Sequence, residues 1–243
     1  MVMVVHSFKR FNPNGQIITM KLSTEDRDDL FKYTRYFALK ASQLIVSSRS
    51  GQKDSTPCRK KSDWFNLNIS DIPGLLLAAK KNISNKINYG CPVCVEIFLQ
   101  TSEGDKMVLE TWCICLLPEH SDPSPKITHT VYNQMGILLK SLVSVTRVIP
   151  AYKLSQRQGP DSYTIFFRMY EKEPEVHALG EGCKQVRIGQ ICTPVGTLQL
   201  SVAYRVKMTI TPTQSSSREC SMLVKSDHFN TNLCPRFNRN QPG

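Results

Sequence analysis

The longest regular signal in the chain is an alternation in its C-terminal third. Leu198, Leu200, Val202, Tyr204, Val206, Met208 and Ile210 interleave with Thr197, Gln199, Ser201, Ala203, Arg205, Lys207 and Thr209. A period of two predicts a strand over 197–210, one face in the core and the other toward solvent or a partner. A shorter alternation puts Val93, Val95, Ile97 and Leu99 on one face. Glu103-Gly104-Asp105 then turns the chain, and 107–116 returns, which predicts a hairpin. Residues 163–170 and 184–192 are further strand candidates.

Two segments carry the helical period instead. Ser23 and Thr24 offer hydroxyl caps, and Glu25, Asp26, Asp28 and Asp29 place negative charge where the helix dipole favours it. Leu30, Tyr33, Phe37, Ala41 and Leu44 follow at helical spacing, so a helix is expected over 24–49, ended near Gly51. In 130–149, Val131, Met135, Leu138, Leu139, Leu142, Val145 and Ile149 cover most of a helix circumference before Pro150. That predicts a central, largely buried helix. A short helix is expected from Ser70 or Asp71 to Asn82, with Pro73 in its first turn.

Between these elements the chain is polar. Residues 50–62 read as a basic loop and 118–126 as a second loop, while the first 19 residues read as an unstructured lead. After Ile210 the period vanishes. The organisation expected is a disordered extension over 1–22, one α+β domain over 23–210 with helices packed on a mainly antiparallel sheet, and a disordered tail over 211–243.

Charge adds a site rather than a class. Thirty-one Lys and Arg against 20 Asp and Glu give +11, a balance that invites a nucleic-acid reading. Residues 145–210 hold nine basic and five acidic side chains, so +4, while no basic helix or aromatic RNA-binding strand is present. No apolar run approaches the ~18–20 residues of a membrane span, and the start reverses the order of a secretory signal. A cytoplasmic chain with no direct membrane span and no nucleic acid is expected.

Nine cysteines, without a signal peptide, do not predict a disulfide framework. Cys91-Pro-Val-Cys94 and Cys113-Ile-Cys115 flank the hairpin and suggest a zinc ribbon. Cys113 and Cys115 point the same way along a strand, however, and the pattern is expected to supply small buried apolar groups rather than metal ligands. Nucleophile-elbow, Walker, zincin, Rossmann and kinase motifs are all absent. The five histidines lie in tails and loops or, for His129, at a helix start. No catalytic residue, cofactor or metal is predicted, and the expected function resides on surfaces.

Several stretches resemble a known family: STEDRDDLFKYTRYFALKASQLIV, SDWFNLNISDIP, CVEIFLQTSEGDKMVLETWC, TVYNQMGILLKSLVSVTRVIPAY and LGEGCKQVRIGQICTPVGTLQLSVAYRV. In order and spacing, from about Ser23 to Ile210, they look like the N-terminal HORMA domain of the autophagy-related protein 13 family. The resemblance implies a HORMA fold with a C-terminal safety-belt segment. It also implies a non-catalytic regulatory subunit of the Unc-51-like kinase complex, acting at the phagophore assembly site. The implied partners are autophagy-related protein 101 as a HORMA heterodimer, the kinase with its large scaffold, and autophagy-related protein 9 or the phosphatidylinositol 3-kinase complex. An alternative is a chromatin- or checkpoint-associated HORMA protein that binds a partner peptide or nucleic acid.

Family HORMA domains are thought to hold an anion between arginines, which directs attention to Arg147, Lys153, Arg157 and, on the last strand, Arg205. Trp64 and Phe65, in the SDWFN stretch, are candidate core or interface anchors. Family members continue into a long serine-rich tail, whereas this chain has 33 residues after Ile210 (243 − 210). A truncated tail is expected to leave kinase and scaffold binding weak or lost.

Overall fold

The computed structural model describes residues 6–11, 17–51, 64–67, 69, 72, 74–83, 91–122 and 124–208. The 211–243 tail, and any safety-belt chain beyond Met208, lie outside the described residues, as does most of the 50–62 loop. The leading segment departs from expectation. Strand β1 (His6–Phe11) pairs antiparallel with β2 (Ile17–Leu22), from His6 opposite Leu22 to Phe11 opposite Ile17.

Helix α1 (Thr24–Ser47) begins where its cap demands. The Asp26 amide donates to Ser23 Oγ at 3.0 Å, and that hydroxyl donates to Asp26 Oδ2 at 2.8 Å. Its buried face carries Leu30, Phe37, Ala38, Ala41 and Ile45. Helix α2 (Leu75–Asn82) starts later than predicted. Gly74 precedes it at φ 80°, a left-handed conformation that glycine adopts without a side-chain clash and that cannot continue a helix.

Strands β3 (Val93–Thr101), β4 (Lys106–Leu117), β5 (Tyr163–Glu171), β6 (Lys184–Thr193) and β7 (Gly196–Tyr204) form one antiparallel sheet, ordered β5-β3-β4-β7-β6. The inner face presents Val93, Val95, Ile97 and Leu99 with Trp112, Ile114, Leu116, Leu198, Leu200 and Val202, all buried. Helices α1 and α3 (Tyr132–Val148) cover it, with α3 entered through a single π turn over Ile127–Val131. The α+β class is as expected.

Two predictions change. Strand β7 ends at Tyr204 rather than residue 210, and its second face is not open. Thr197 and Ala203 are buried too: Thr197 Oγ1 donates to Glu119 O at 2.9 Å in the loop after β4, and β7 also touches the 3-10 turn at Val176–Leu179 in the connection from β5 to β6. Nor is α3 central. It buries Met135, Leu138, Leu139, Leu142 and Thr146, but leaves Ile137 63% exposed and Val148 62% exposed. Its apolar residues exceed the width of the one face that the sheet and α1 can cover.

Candidate functional site

The uncovered side of α3 adjoins the edge strand β6. The close approach is set at Gly189, where a β-carbon would stand 2.6 Å from Leu138 Cδ1. A bulge between Arg187 and Gly189 shifts the register there. Gln134, Ile137 and Ser141 of α3 face Ile188 and Gln190 of β6 across a shallow groove. With Val186, 42% exposed on the same strand, Ile137 gives this side an apolar surface unlike a solvated helix face.

The basic stretch follows directly. Arg147 lies in the last turn of α3, where the helix dipole favours a cation. Lys153 is on the short helix α4 (Ala151–Ser155), and Arg157 is in the turn after it. All three are exposed, and among the described residues no carboxylate pairs with any of them. Their backbone is held firmly. Gln158 Nε2 donates to Arg49 O at 2.8 Å and to Ser155 O at 3.0 Å. Tyr163 Oη donates to Leu154 O at 3.0 Å, and burial raises the Tyr163 phenol above its ordinary value.

Arg205 does not join that group. Its Nε donates to Val108 O at 2.8 Å and its Nη2 to Ala178 O at 2.9 Å. The guanidinium lies against Gly180, on the side of the sheet covered by the β5–β6 connection, whereas α3 packs on the opposite side. Burial lowers its pKa from the ordinary arginine value. The alternation that suggested a solvent-facing strand member holds to Tyr204, and Arg205 is where the chain leaves the ladder.

Trp64 and Phe65 both pack among aromatic side chains. Phe65 is buried at φ 61°, followed by Asn66 at φ 54°. Two successive non-glycine residues in the left-handed region are strained and need surrounding contacts to hold them. Those contacts are aromatic: Phe65 stacks on Tyr132 at 4.7 Å between centroids, and the Phe65 amide donates to Tyr132 Oη at 2.8 Å. Trp64 stacks on Tyr36 at 4.0 Å, with Lys32 Nζ 5.5 Å from its centroid. Trp64 keeps partial exposure.

Sequence reasoning missed a buried polar centre beneath these surfaces. Arg49 and Glu110 are 2% and 0% exposed and paired at 2.7 Å, and Trp112 Nε1 donates to Glu110 Oε2 at 2.8 Å. The available signal was Glu110 itself, a charge on the strand face that also carries Trp112, Ile114 and Leu116. A second network lies on the opposite sheet face, where Arg168 meets Glu96 at 2.6 Å and Glu175 at 2.7 Å. Both hold elements together; neither presents a reacting group to a cleft.

Comparison with known proteins decides the kinship. The family described as autophagy-related protein 13 matches residues 100–209. An autophagy-related protein 13 homolog of Drosophila melanogaster is 46% identical over 241 residues, covering 92% of this chain and 45% of its own length. The chain belongs to the autophagy-related protein 13 family. The Mus musculus and Homo sapiens members are 46% and 45% identical, each covering 86% of this chain and 41% of their own length. The chain therefore spans about half the length of the relatives it matches. Among solved structures it is similar to one described as the Atg13 HORMA domain, at TM-score 0.48 and 19% identity over 75% of this chain and 95% of that one. It is also similar to a chain in a mitotic checkpoint complex, at TM-score 0.49 and 18% identity over 72% and 98%.

Proposed function

We propose that this family member is a non-catalytic regulatory adaptor of the Unc-51-like kinase complex, promoting autophagosome formation from the phagophore assembly site. Its domain works as a HORMA module that pairs with a second HORMA protein, autophagy-related protein 101. Identity of 46% sustained over 241 residues carries the reading. The exposed Ile137 of α3 and Val186 of edge strand β6, beside the groove between them, support it, since exposed apolar side chains gain by burial in a partner. Adaptor action needs no bond chemistry: binding two partners raises the concentration of each about the other.

In the same reading Arg147, Lys153 and Arg157 form an anion-reading patch, with arginine supplying the planar donor fork that suits phosphate. A phosphorylated segment of autophagy-related protein 9 or of the phosphatidylinositol 3-kinase complex is the occupant envisaged. The test is a pull-down of autophagy-related protein 101 by the chain and by its Ile137→Asp variant. Capture by the first and loss in a folded second is expected, and equal capture by both would remove the α3–β6 surface from the account.

A further inference from the structure

Cys94 and Cys113 stand directly opposite each other on β3 and β4, and their sulfur atoms are 3.2 Å apart. Opposed residues on antiparallel strands have Cα atoms about 4.5 or 5.5 Å apart, within the roughly 4.4–6.8 Å that a disulfide spans. A small rotation of either side chain brings the sulfurs to bonding distance without moving the backbone. Both project from the sheet face away from α1 and α3, beneath the start of the β5–β6 connection, where the Cys94 thiol donates to Lys172 O at 3.5 Å. Among the described residues no group of three His, Cys, Asp or Glu side chains is arranged to hold a metal ion.

We propose that Cys94 and Cys113 are an oxidisable thiol pair, closed by hydrogen peroxide into a cross-strand disulfide. The two sulfurs have different roles. Cys94 is fully buried and Cys113 half-buried, so the peroxide meets Cys113 first. The bond to Cys113, together with burial, holds the Cys94 thiol well above its ordinary pKa. Neighbouring Cys115 is pushed up to about 11, chiefly by burial, so neither competes as a thiolate.

The Cys113 thiolate attacks one peroxide oxygen and the O–O bond breaks. This leaves Cys113 as the sulfenic acid and releases hydroxide, which takes up a proton to become water. The Cys94 sulfur then attacks the Cys113 sulfur and the S–O bond breaks. The departing hydroxide leaves as a second water, carrying the Cys94 proton. Two thiols have lost two electrons and one peroxide has gained them. Closure also removes the hydrogen that Cys94 gives Lys172 O, so the first residues of the connection sense the change.

The test treats the full, reduced chain with hydrogen peroxide, blocks remaining thiols with N-ethylmaleimide, and maps the peptides by mass spectrometry without reductant. Expected is a Cys94–Cys113 linked species, lighter by two hydrogens than its separate parts and abolished by dithiothreitol, formed before half-buried Cys183 or Cys192 is consumed. Maleimide on both Cys94 and Cys113 after Cys183 or Cys192 has oxidised would overturn the proposal, as would a bridge from Cys113 to Cys91 or Cys115. In the Cys94→Ser variant the sulfenic acid should persist on Cys113 and react with dimedone. If that variant does not fold, mapping of the unaltered chain decides alone.

Discussion

Arg49 and Glu110, 61 residues apart in sequence, meet at two points inside the protein: Nη2 on Oε1 at 2.7 Å and Nε on Oε2 at 3.1 Å. Arg49 leaves the end of α1, Glu110 sits on β4, and the Arg49 carbonyl accepts from Gln158 beyond α4. One buried pair thus ties the longest helix to the sheet and to the basic stretch that ends at Arg157. Removing one partner strands a charge that the interior cannot solvate. Arg49→Ala and Glu110→Ala should each cost about 3–5 kcal/mol, read as a lowered urea midpoint. Glu110→Gln, which keeps shape and one acceptor, should cost less than Glu110→Ala.

Two glycines mark close approaches with different remedies. At Gly196, φ is 146° and a β-carbon would fall 2.2 Å from the Leu117 carbonyl oxygen, a backbone atom with nowhere to move. At Gly189 the obstacle is the tip of Leu138, a side chain that can shift. Gly189→Ala should therefore cost about 1–3 kcal/mol, and Gly196→Ala more. Thermal melts should also show Leu138→Val recovering part of the Gly189→Ala loss and none of the Gly196→Ala loss.

Acid sensitivity has an identifiable contributor. Lys172, then Arg168, hold the Glu175 carboxyl below its ordinary value of 4.5. Because the folded pKa is the lower one, the pairing stabilises the protein above the unfolded value and fades as pH falls through the folded value. Glu175→Gln should flatten the stability profile below about pH 4.5 and leave its shape at neutral pH unchanged, as followed by urea melts across an acid series.

The arginines of the sequence reading should separate cleanly. Arg147→Ala, alone or with Lys153→Ala and Arg157→Ala, should weaken inorganic phosphate binding in calorimetry and leave the melting temperature in place. Arg205→Ala should do the reverse. It empties two main-chain carbonyls of their donor, at a cost of about 1–3 kcal/mol, with phosphate binding unaltered.

Much of the fold was legible because local pattern and tertiary environment agreed. Ser23 and the acids after it set the start of α1, and the apolar positions of β3 and β7 lie on the buried face that their period predicted. Prediction failed where long-range contacts decide. Nothing local shows that the Val176–Leu179 turn packs against β7, that Thr197 gives its hydroxyl hydrogen to Glu119 O, or that Arg205 would be drawn to Val108 and Ala178. The helical period of α3 is satisfied equally by a helix buried all round and by one with Ile137 outside. Only the packing of Leu138 on Gly189 selects between them. The same holds for the thiols: spacing linked Cys94 and Cys113 to a hairpin, but register alone makes them neighbours.

The account rests most directly on the mass of the species formed when the purified chain is mixed with autophagy-related protein 101. Light scattering after gel filtration should return a single peak with the summed mass of one copy of each. Two peaks at the separate masses, with both proteins folded by circular dichroism, would contradict the adaptor reading.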